Sequence, residues 1–288
     1  PRRAGRSLRM QQYLDLVRHV LDHGIRKENR TGVDTLSCFG CHYKVDLADG
    51  FPLLTTKRMY WKSLVHELLW YLSGENHIRN LRKHTRIWDA WADEDGNLET
   101  AYGYYWRRFP SATRGRDGAW RVEETDQIRY VIDTLKSNPN SRRMVVTAWE
   151  PGNAIASRLP PCHYTFTFNV QEGRLCCHLN QRSGDIALGI PFNVAAYSAL
   201  TMMIAKEVGL EPGIFSHFIV DAHIYTAKPD GSMAEYDHVP GLREQLTREP
   251  RPLPRLEIAD RPFAELTFED FRLVGYDPHP KIDFAVAV

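Results

Sequence analysis

The segment 191–210 is the feature that most constrains how this 288-residue chain can fold. It is mostly apolar and long enough for about five helical turns. A helix that is apolar on nearly all sides is normally buried, so this segment predicts a long central helix covered by other elements. No run of about 18 or more apolar residues occurs, so we expect neither a membrane-spanning segment nor a membrane partner.

Helix and strand patterns alternate along the rest of the chain. Apolar residues at helical spacing predict helices, and runs of β-forming residues predict strands. We expect helices at 11–24, 60–73 and 126–135, and strands at 35–46, 144–149, 164–170, 174–179, 214–225 and 255–258. This interleaving predicts an α+β or α/β fold built on a large mixed sheet.

The chain shows no internal boundary. Without a repeat, a low-complexity tract or a linker, residues 11–288 are expected to form one domain. The basic segment 1–10 lacks an apolar core and is expected to be a flexible arm rather than a signal peptide. Residues 111–125 contain Gly115, Gly118 and mixed charge, which predicts a mobile loop.

Charge and cysteine content limit the partners of this chain. It has 37 Lys and Arg against 36 Asp and Glu, a formal net charge of +1. This balance gives no general field for polyanions, so we expect no DNA binding, and any phosphate must be held by a local cluster. The five cysteines are too few for a disulfide scaffold and odd in number, which indicates a reducing, cytoplasmic location.

The tetrapeptide Pro160-Pro161-Cys162-His163 places a thiol at the start of a predicted strand. A thiolate is a strong nucleophile when nearby positive charge lowers its pKa. Taken alone, the tetrapeptide fits a small buried residue better. Cys38 and Cys41 have no second pair for zinc, and Cys176 and Cys177 face opposite sides of a strand, so we expect no metal site.

Four arginines in separate short motifs form a candidate phosphate clamp: Arg30, Arg142, Arg143 and Arg182. The planar guanidinium group matches a phosphate dianion in geometry and charge. The alternative is a set of solvated surface charges.

Polar residues in two other motifs could complete a nucleotide site. Asn193 follows Asp185 and a Gly-Ile-Pro turn and could pair with the edge of uracil, or the pair could simply cap a helix. His223 and Tyr225 are two apart on a predicted strand and share a face, as two ligands of one sugar hydroxyl would. Alternatively, neighbouring backbone groups satisfy the hydrogen bonds of these two side chains.

Three further residues could take part in chemistry or in ring binding. Glu67 interrupts the apolar face of the predicted helix 60–73. A buried carboxylate is costly unless paired or protonated, so Glu67 is either satisfied structurally or poised as an acid or base. Trp88 and Trp91 could stack on a flat ring or belong to the core.

Taken in order, these motifs resemble the thymidylate synthase family from about Met10 to the C-terminus. The shared segments are MQQYLDLVRHVLDHG, ENRTG, FPLLTTKR, HELLWYLSG, RIWDAWADEDG, NSRR, LPPCH, QRSGDIALGIPFN, DAHIY, REPRPLP and GYDPHPKIDFAVAV. Each is weak alone, but the ordered set is specific. The resemblance implies a single α+β domain with a long central helix and a large mixed sheet at a dimer interface.

The resemblance also implies a folate-dependent one-carbon transfer to a pyrimidine nucleoside monophosphate. Cys162 would add to carbon 6 of the base, and carbon 5 would then attack the methylene of the co-substrate 5,10-methylenetetrahydrofolate. The implied catalytic residues are Cys162, Glu67, Tyr102, His163, Asn180 and Asp185. The implied nucleotide ligands are Arg30, Gln181, Arg182, Ser183, Asn193, His223 and Tyr225, with Arg142 and Arg143 donated by the partner of an obligate homodimer. The implied folate contacts are Lys57, Trp88, Trp91, Asp185 and Val288.

Several of these residues have implied tasks. Glu67 would order a water and relay protons to the base carbonyl, and Tyr102 would help to remove the carbon 5 proton. The arginine cluster would lower the pKa of the Cys162 thiol. Val288 would close over the complex of protein, nucleotide and folate.

The sequence departs from the family pattern beside these residues. The family motifs RTGTGT, LGPVYG, AWN, LYQRS and HIYxNH correspond here to RTGVDT at 30–35, LETAYG at 98–103, AWE at 148–150, LNQRS at 179–183 and HIYTAK at 223–228. The short Asn180, in place of tyrosine, should make room for a water. A viral deoxycytidylate hydroxymethylase of the family is similar to this chain. It also has Asn in place of the tyrosine, and it lacks the Gly-Pro of the LGPVYG motif and the Asn of the HIYxNH motif.

That water would decide the product. An exocyclic methylene intermediate that takes water gives a 5-hydroxymethyl nucleotide, whereas one that takes hydride from tetrahydrofolate gives thymidylate. The first hypothesis is therefore a nucleotide hydroxymethylase, and the alternative is a true thymidylate synthase.

The base, the sugar and a non-enzymatic role are further alternatives. Asn193 favours uracil and hence dUMP, because the deoxycytidylate-specific relatives carry Asp there. Changes at Asn180 and Glu150 leave dCMP open, and Ala227 and Lys228 leave a ribonucleotide such as CMP open. A degenerate RNA-binding relative is a third hypothesis, against which stands the retention of the implied site residues.

Overall fold

The computed structural model describes residues 9–99 and 101–287. Its helices are α1 Gln11–His23, α2 Trp61–Ser73, α3 Tyr102–Arg108, α4 Gln127–Ser137, α5 Pro151–Ala156, α6 Gly189–Val208 and α7 Val239–Thr247. Its strands are β1 Ile25–Lys27, β2 Asp34–Asp46, β3 Phe109–Arg114, β4 Trp120–Thr125, β5 Val145–Thr147, β6 His163–Gln171, β7 Arg174–Asp185, β8 Glu211–Thr226, β9 Arg255–Ile258 and β10 Phe271–Val274.

A six-stranded mixed sheet, in the order β1-β2-β8-β7-β6-β5, organises the fold. β7 and β8 are parallel, and every other neighbouring pair is antiparallel. Buried residues alternate with more exposed ones along most of β7 and β8, as in a sheet with one face against a core. The predicted α+β fold with a large mixed sheet is confirmed.

The central helix predicted from the apolar segment 191–210 is α6. It packs against β7, β8 and α2, and Leu200, Met203 and Ile204 on it are almost completely buried. Each such side chain stabilises the fold by about 1.5–3 kcal/mol. The helix ends at Gly209, whose φ of +71° is a left-handed conformation that glycine adopts without strain.

The prediction of a mobile loop at residues 111–125 is wrong, because two strands form there. β3 and β4 pair antiparallel over this segment, and the Ser111 and Thr125 hydroxyls are 2.7 Å apart across the pair. All six side chains of β4 are exposed, including Trp120 at 70%. Because neither strand buries a regular apolar face, the sequence lacks the alternation by which strands are recognised.

The N-terminal boundary differs slightly from the expected one. Met10 is buried in the core, and Arg9 donates hydrogen bonds to Glu249 and to the Pro250 carbonyl. The last two residues of the expected arm thus belong to the fold, and residues 1–8 lie outside the described part. Within the described ranges, no helix has the length and apolarity needed to cross a bilayer.

Candidate active site

Cys162 directly precedes the first residue of β6 and is partly exposed. Its backbone N–H donates to the Tyr102 hydroxyl at 2.7 Å, and its carbonyl accepts the Arg182 N–H at 2.8 Å. These two bonds fix the backbone of Cys162 between α3 and β7. The thiol is therefore held at a defined place on the surface of a rigid sheet.

Arg182 brings positive charge to the thiol. Its guanidinium donates to the Pro160 and Pro161 carbonyls at 2.7 and 3.0 Å, and its Nη2 lies 3.7 Å from the Cys162 Sγ. The guanidinium also lies over the Trp149 ring, 5.7 Å from its centroid. The prolines that precede the thiol thus orient the arginine as well as the cysteine.

Within this one chain, burial raises the pKa of the Cys162 thiol, and the opposing effects of Arg182, Arg30 and the Tyr102 hydroxyl do not cancel it. Desolvation of the thiolate outweighs the positive charge that one chain supplies. The low pKa implied by the family resemblance, which includes the arginines of a partner subunit, stays a prediction.

His163 is buried behind Cys162 as a neutral ring. It stacks on Tyr102 with centroids 3.7 Å apart, and its Nδ1 lies 2.7 Å from the Tyr197 hydroxyl. Burial lowers the pKa of His163 to about 3. His163 therefore supports Tyr102 and Cys162 without carrying charge at neutral pH.

Glu67 on α2 faces the same region. The Trp88 indole donates to its Oε1 at 2.6 Å. Burial raises the pKa of Glu67 to about 7, although hydrogen bonds from Trp88 and Tyr71 favour the carboxylate. The sequence left a structural and a chemical role open for Glu67, and this pKa gives it the proton affinity of an acid or base that works near neutrality.

Aromatic rings link Glu67 to the cysteine. Tyr71 and Trp88 lie 5.5 and 5.9 Å from the Tyr102 ring, centroid to centroid, and Trp91 lies 5.7 Å from Trp88. Trp88 and Trp91 are both half-buried, so their remaining ring surface is available to a planar ligand.

Gln181 belongs to a buried polar chain that the sequence did not reveal. Its Oε1 lies 2.9 Å from His217 Nε2, whose Nδ1 lies 2.9 Å from the Tyr43 hydroxyl. Its Nε2 donates to the Ser183 carbonyl at 2.9 Å. His217 and Tyr43 are single residues on different strands, and only the pairing of β2, β8 and β7 brings them to Gln181.

Asp185 ends β7 beneath the start of α6. Its Oδ1 accepts the N–H groups of Ala187 and Leu188 at 2.9 and 3.3 Å. Burial opposes ionisation, but His238, whose Nδ1 lies 3.7 Å from Oδ1, and the backbone N–H groups lower the pKa of Asp185 below its ordinary value. Asp185 is therefore a half-buried carboxylate. Asn193, one helical turn into α6, is half-buried and directs its Oδ1 towards Gly189.

Lys57, expected at the folate tail, is only 4% exposed. Its Nζ donates to the Ala187 carbonyl at 2.6 Å and lies 4.6 Å from the Phe284 ring centroid. Burial lowers the pKa of Lys57 to about 8, although Asp185 favours the charged form. Its contact with a ligand stays a prediction, and Val288, expected to close over the bound ligands, lies outside the described residues.

His223 and Tyr225 share a region of β8, as predicted, and their rings meet edge to face at 5.3 Å. Asp221 was not singled out from the sequence. Its Oδ1 lies 3.3 Å from His223 Nδ1, and it also accepts from Lys27 Nζ and the Ser37 hydroxyl. Asp221 is thus placed to hold His223 in one orientation.

The arginines are not all brought together within one chain. Arg30 is exposed, and its charge acts on both Cys162 and Tyr225. Arg142 and Arg143 are exposed beside β5, near the Phe168 N–H that donates to the Met144 carbonyl. Six residues of extended chain separate Cys162 from Phe168, about 20 Å at roughly 3.3 Å per residue. That span exceeds the reach of an arginine side chain.

Two further residues expected at the site, Asn180 and Ser183, lie on β7. Asn180 pairs with Thr165 and Phe218 in the sheet and is half-buried, and it alternates in facing with the buried Gln181. Ser183 pairs with Asp221 and is also half-buried.

Residues 227–237 leave β8 and return, so that the His238 N–H donates to the Tyr225 carbonyl at 3.0 Å. His238 therefore lies beside Tyr225, and it was not among the residues expected at the site. The correspondence of the family motif HIYxNH with residues 223–228 stays a prediction.

Comparisons with known proteins agree with this geometry. Residues 11–288 match the sequence model of the family described as thymidylate synthase. A protein from Haloferax volcanii named thymidylate synthase is 50% identical, with 95% of each chain covered. The chain therefore belongs to the thymidylate synthase family of one-carbon transferases.

Proposed function

We propose that this protein is a thymidylate synthase, which converts dUMP and 5,10-methylenetetrahydrofolate into dTMP and dihydrofolate. The observation that carries the proposal is the position of Cys162, partly exposed, with the Arg182 guanidinium 3.7 Å from its Sγ. A nucleophilic sulfur beside a phosphate-binding cation is what covalent activation of a nucleotide requires.

The first step joins sulfur and base. The Cys162 thiol gives its proton to the solvent that reaches this partly exposed residue, and the sulfur adds to carbon 6 of the uracil, leaving an enolate across carbon 5 and the carbon 4 oxygen. Arg182 stabilises the thiolate as it forms, and Arg30 adds positive charge from across the site. We assign the base edge to Asn193, on the first turns of α6, and the sugar hydroxyl to His223 and Tyr225.

Proton transfer at the base is assigned to Glu67. Its pKa of about 7 means that it can both donate and accept a proton near neutral pH. It does so through an ordered water at the base carbonyl. Tyr102, whose hydroxyl accepts the Cys162 N–H at 2.7 Å, is assigned to help in removal of the carbon 5 proton.

The folate occupies the side of the site that carries Trp88, Trp91 and Asp185. The indole rings supply half-buried aromatic surface for a pterin, and the half-buried carboxylate of Asp185 supplies a charged acceptor for its N–H groups. When bound, the folate supplies the methylene carbon and then the hydride.

One observation favours a methyl product over a hydroxymethyl product. The Haloferax volcanii relative, at 50% identity, is named thymidylate synthase. The departures from the family pattern, above all the substitution at Asn180, still argue for water addition.

Product analysis tests the proposal. The enzyme is incubated with labelled methylenetetrahydrofolate and, in turn, dUMP, dCMP, UMP and CMP, and the products are identified by mass spectrometry. We expect dTMP from dUMP with one dihydrofolate per turnover. A 5-hydroxymethyl nucleotide with tetrahydrofolate would contradict the proposal. Asn180→Tyr, which restores the tyrosine of the family, is the matched variant and should leave a methyl product unchanged.

We further propose a homodimer in which Arg142 and Arg143 bind the phosphate in the partner's site. Their distance of about 20 Å along β6 from their own cysteine supports this arrangement. The partly exposed face of the sheet offers an interface, since Phe39 on β2 is 87% exposed. Mixing inactive Cys162→Ser and Arg143→Ala proteins should restore up to about a quarter of the activity by forming one intact site per mixed dimer. No recovery in a mixed dimer would contradict donation across the interface.

A further inference from the structure

His238 connects three parts of the candidate site that are distant in sequence. The excursion 227–237 returns the chain so that the His238 ring, 1% exposed, packs edge-on against Tyr225 and Phe284 at 5.5 and 5.1 Å. Tyr225 belongs to the expected sugar site, and Phe284 belongs to the C-terminal tail, which we define as residues 275–287. His238 is therefore buried between the nucleotide side and the tail.

Both ring nitrogens of His238 face hydrogen-bond acceptors. Its Nε2 lies 2.8 Å from the Ala285 carbonyl, and its Nδ1 lies 3.7 Å from Asp185 Oδ1. Among the described residues, Nδ1 has no hydrogen-bond partner within normal bonding distance. A carbonyl and a carboxylate can only accept, and a neutral imidazole has only one N–H to donate. Only the imidazolium form presents an N–H group to both the Ala285 carbonyl and the Asp185 carboxylate.

The charges around His238 agree with this form. Burial disfavours the imidazolium and Lys57 repels it, but Asp185 and the Ala285 carbonyl outweigh both and raise the pKa of His238. Asp185 is ionised, because it already accepts two backbone N–H groups. Burial raises the pKa of Tyr225 to about 12, so this phenol stays neutral. On the element of His238 itself, Asp237 accepts the Val239 N–H.

We propose that His238 is a positioning residue that, as an imidazolium, ties the C-terminal tail at Ala285 to Asp185. The inference rests on the proposed function, because it concerns the same folate site. The tail and the folate-site carboxylate are then ordered together. Loss of the proton from His238 releases the tail. The affinity for folate therefore falls at alkaline pH, while nucleotide affinity does not.

The kinetic test uses His238→Gln. Glutamine keeps an N–H donor for the Ala285 carbonyl but cannot place a positive charge beside Asp185. We expect the KM for methylenetetrahydrofolate to rise about tenfold, the loss expected for one charge-assisted hydrogen bond, with the KM for dUMP and kcat within about twofold. The folate KM should rise more steeply from neutral to alkaline pH in the wild type than in the variant, where Lys57, with a pKa of about 8, still titrates beside Asp185. Equal losses in both KM values would overturn the proposal.

The matched control is His279→Gln. His279 lies in the same tail and donates to the Glu249 carbonyl at 2.8 Å, but its bond does not involve Asp185. This variant should keep the wild-type folate KM and its pH dependence. If it reproduced the behaviour of His238→Gln, the tail would be responding to any lost histidine, and the specific role of His238 would be refuted.

Two measurements are independent of catalysis. Hydrogen-exchange protection of amides 282–287, corrected for intrinsic rates, should fall with rising pH in the wild type and be low at every pH in His238→Gln. Nitrogen NMR of the wild-type imidazoles should show one buried ring protonated on both nitrogens at neutral pH. Wild-type protection in the variant, or a singly protonated His238, would overturn the inference. If the tail behaves as expected but no nucleotide is converted, the proposed function fails and the tail coupling stands.

Discussion

Replacing Glu67 with glutamine should stabilise the fold while removing activity. Burial moves the pKa of this carboxyl from its ordinary value of 4.5 to about 7. Each unit corresponds to about 1.4 kcal/mol, so keeping Glu67 ionised in the folded state costs up to about 3 kcal/mol. Glutamine retains an oxygen that can accept the Trp88 indole N–H, at 2.6 Å in the wild type, and it carries no charge.

The sign of the pH dependence follows from proton linkage. The folded state binds the Glu67 proton more tightly than the unfolded state, so this residue lowers stability as pH rises from 4.5 to 7 and contributes a constant penalty above 7. The stability advantage of Glu67→Gln should therefore be near zero at pH 4.5 and reach up to about 3 kcal/mol at pH 8. Its kcat should fall by about 10²- to 10⁴-fold, because a proton donor and acceptor is lost.

Urea denaturation at fixed protein concentration, from pH 4.5 to 8.5, measures this difference in the free energy of unfolding. Glu123→Gln, on the exposed strand β4, is the control and should change stability by less than about 0.5 kcal/mol at every pH. A Glu67→Gln curve that runs parallel to the wild type, or lies below it at pH 8, would refute the assigned burial and its effect on the pKa.

Two other substitutions test the geometry around the cysteine and the buried polar chain. Arg182→Lys cannot reproduce the paired bonds to the Pro160 and Pro161 carbonyls while facing the thiol, so the KM for dUMP should rise at least tenfold, and an unchanged KM would contradict the phosphate role. Tyr43→Phe removes the hydroxyl 2.9 Å from His217 Nδ1 and should destabilise the protein by about 1–3 kcal/mol in urea at pH 7, because a buried polar atom is left unpaired. Wild-type stability in this variant would show that the hydrogen bonds among Tyr43, His217 and Gln181 do not stabilise the fold.

The sequence predicted the elements that bury an apolar face. The expected helix 60–73 and strand 35–46 lie within one residue of α2 and β2, and α6 begins two residues before its expected start. The hairpin of β3 and β4 was missed, because its side chains are mostly exposed and carry no apolar period. Burial sets the pattern that sequence analysis detects, so solvent-exposed strands escape it.

The sequence predicted those residues of the candidate site that belong to short motifs. It did not predict the residues that only the folded chain brings to the site. Cys162, Arg182, His223 and Tyr225 belong to compact motifs. His238 comes beside Tyr225 only because residues 227–237 leave β8 and return. The motifs around Cys162 show neighbouring charges but not the depth of burial, and within one chain desolvation prevails at this thiol.

Mass spectrometry of the protein after incubation with 5-fluoro-dUMP and methylenetetrahydrofolate tests the central claim most directly. Fluorine at carbon 5 cannot leave as a proton does, so the covalent intermediate should accumulate. We expect a mass increase equal to nucleotide plus folate on the peptide that contains Cys162, and none in Cys162→Ser. An unmodified Cys162 peptide in a protein that turns over dUMP would contradict covalent catalysis by this sulfur.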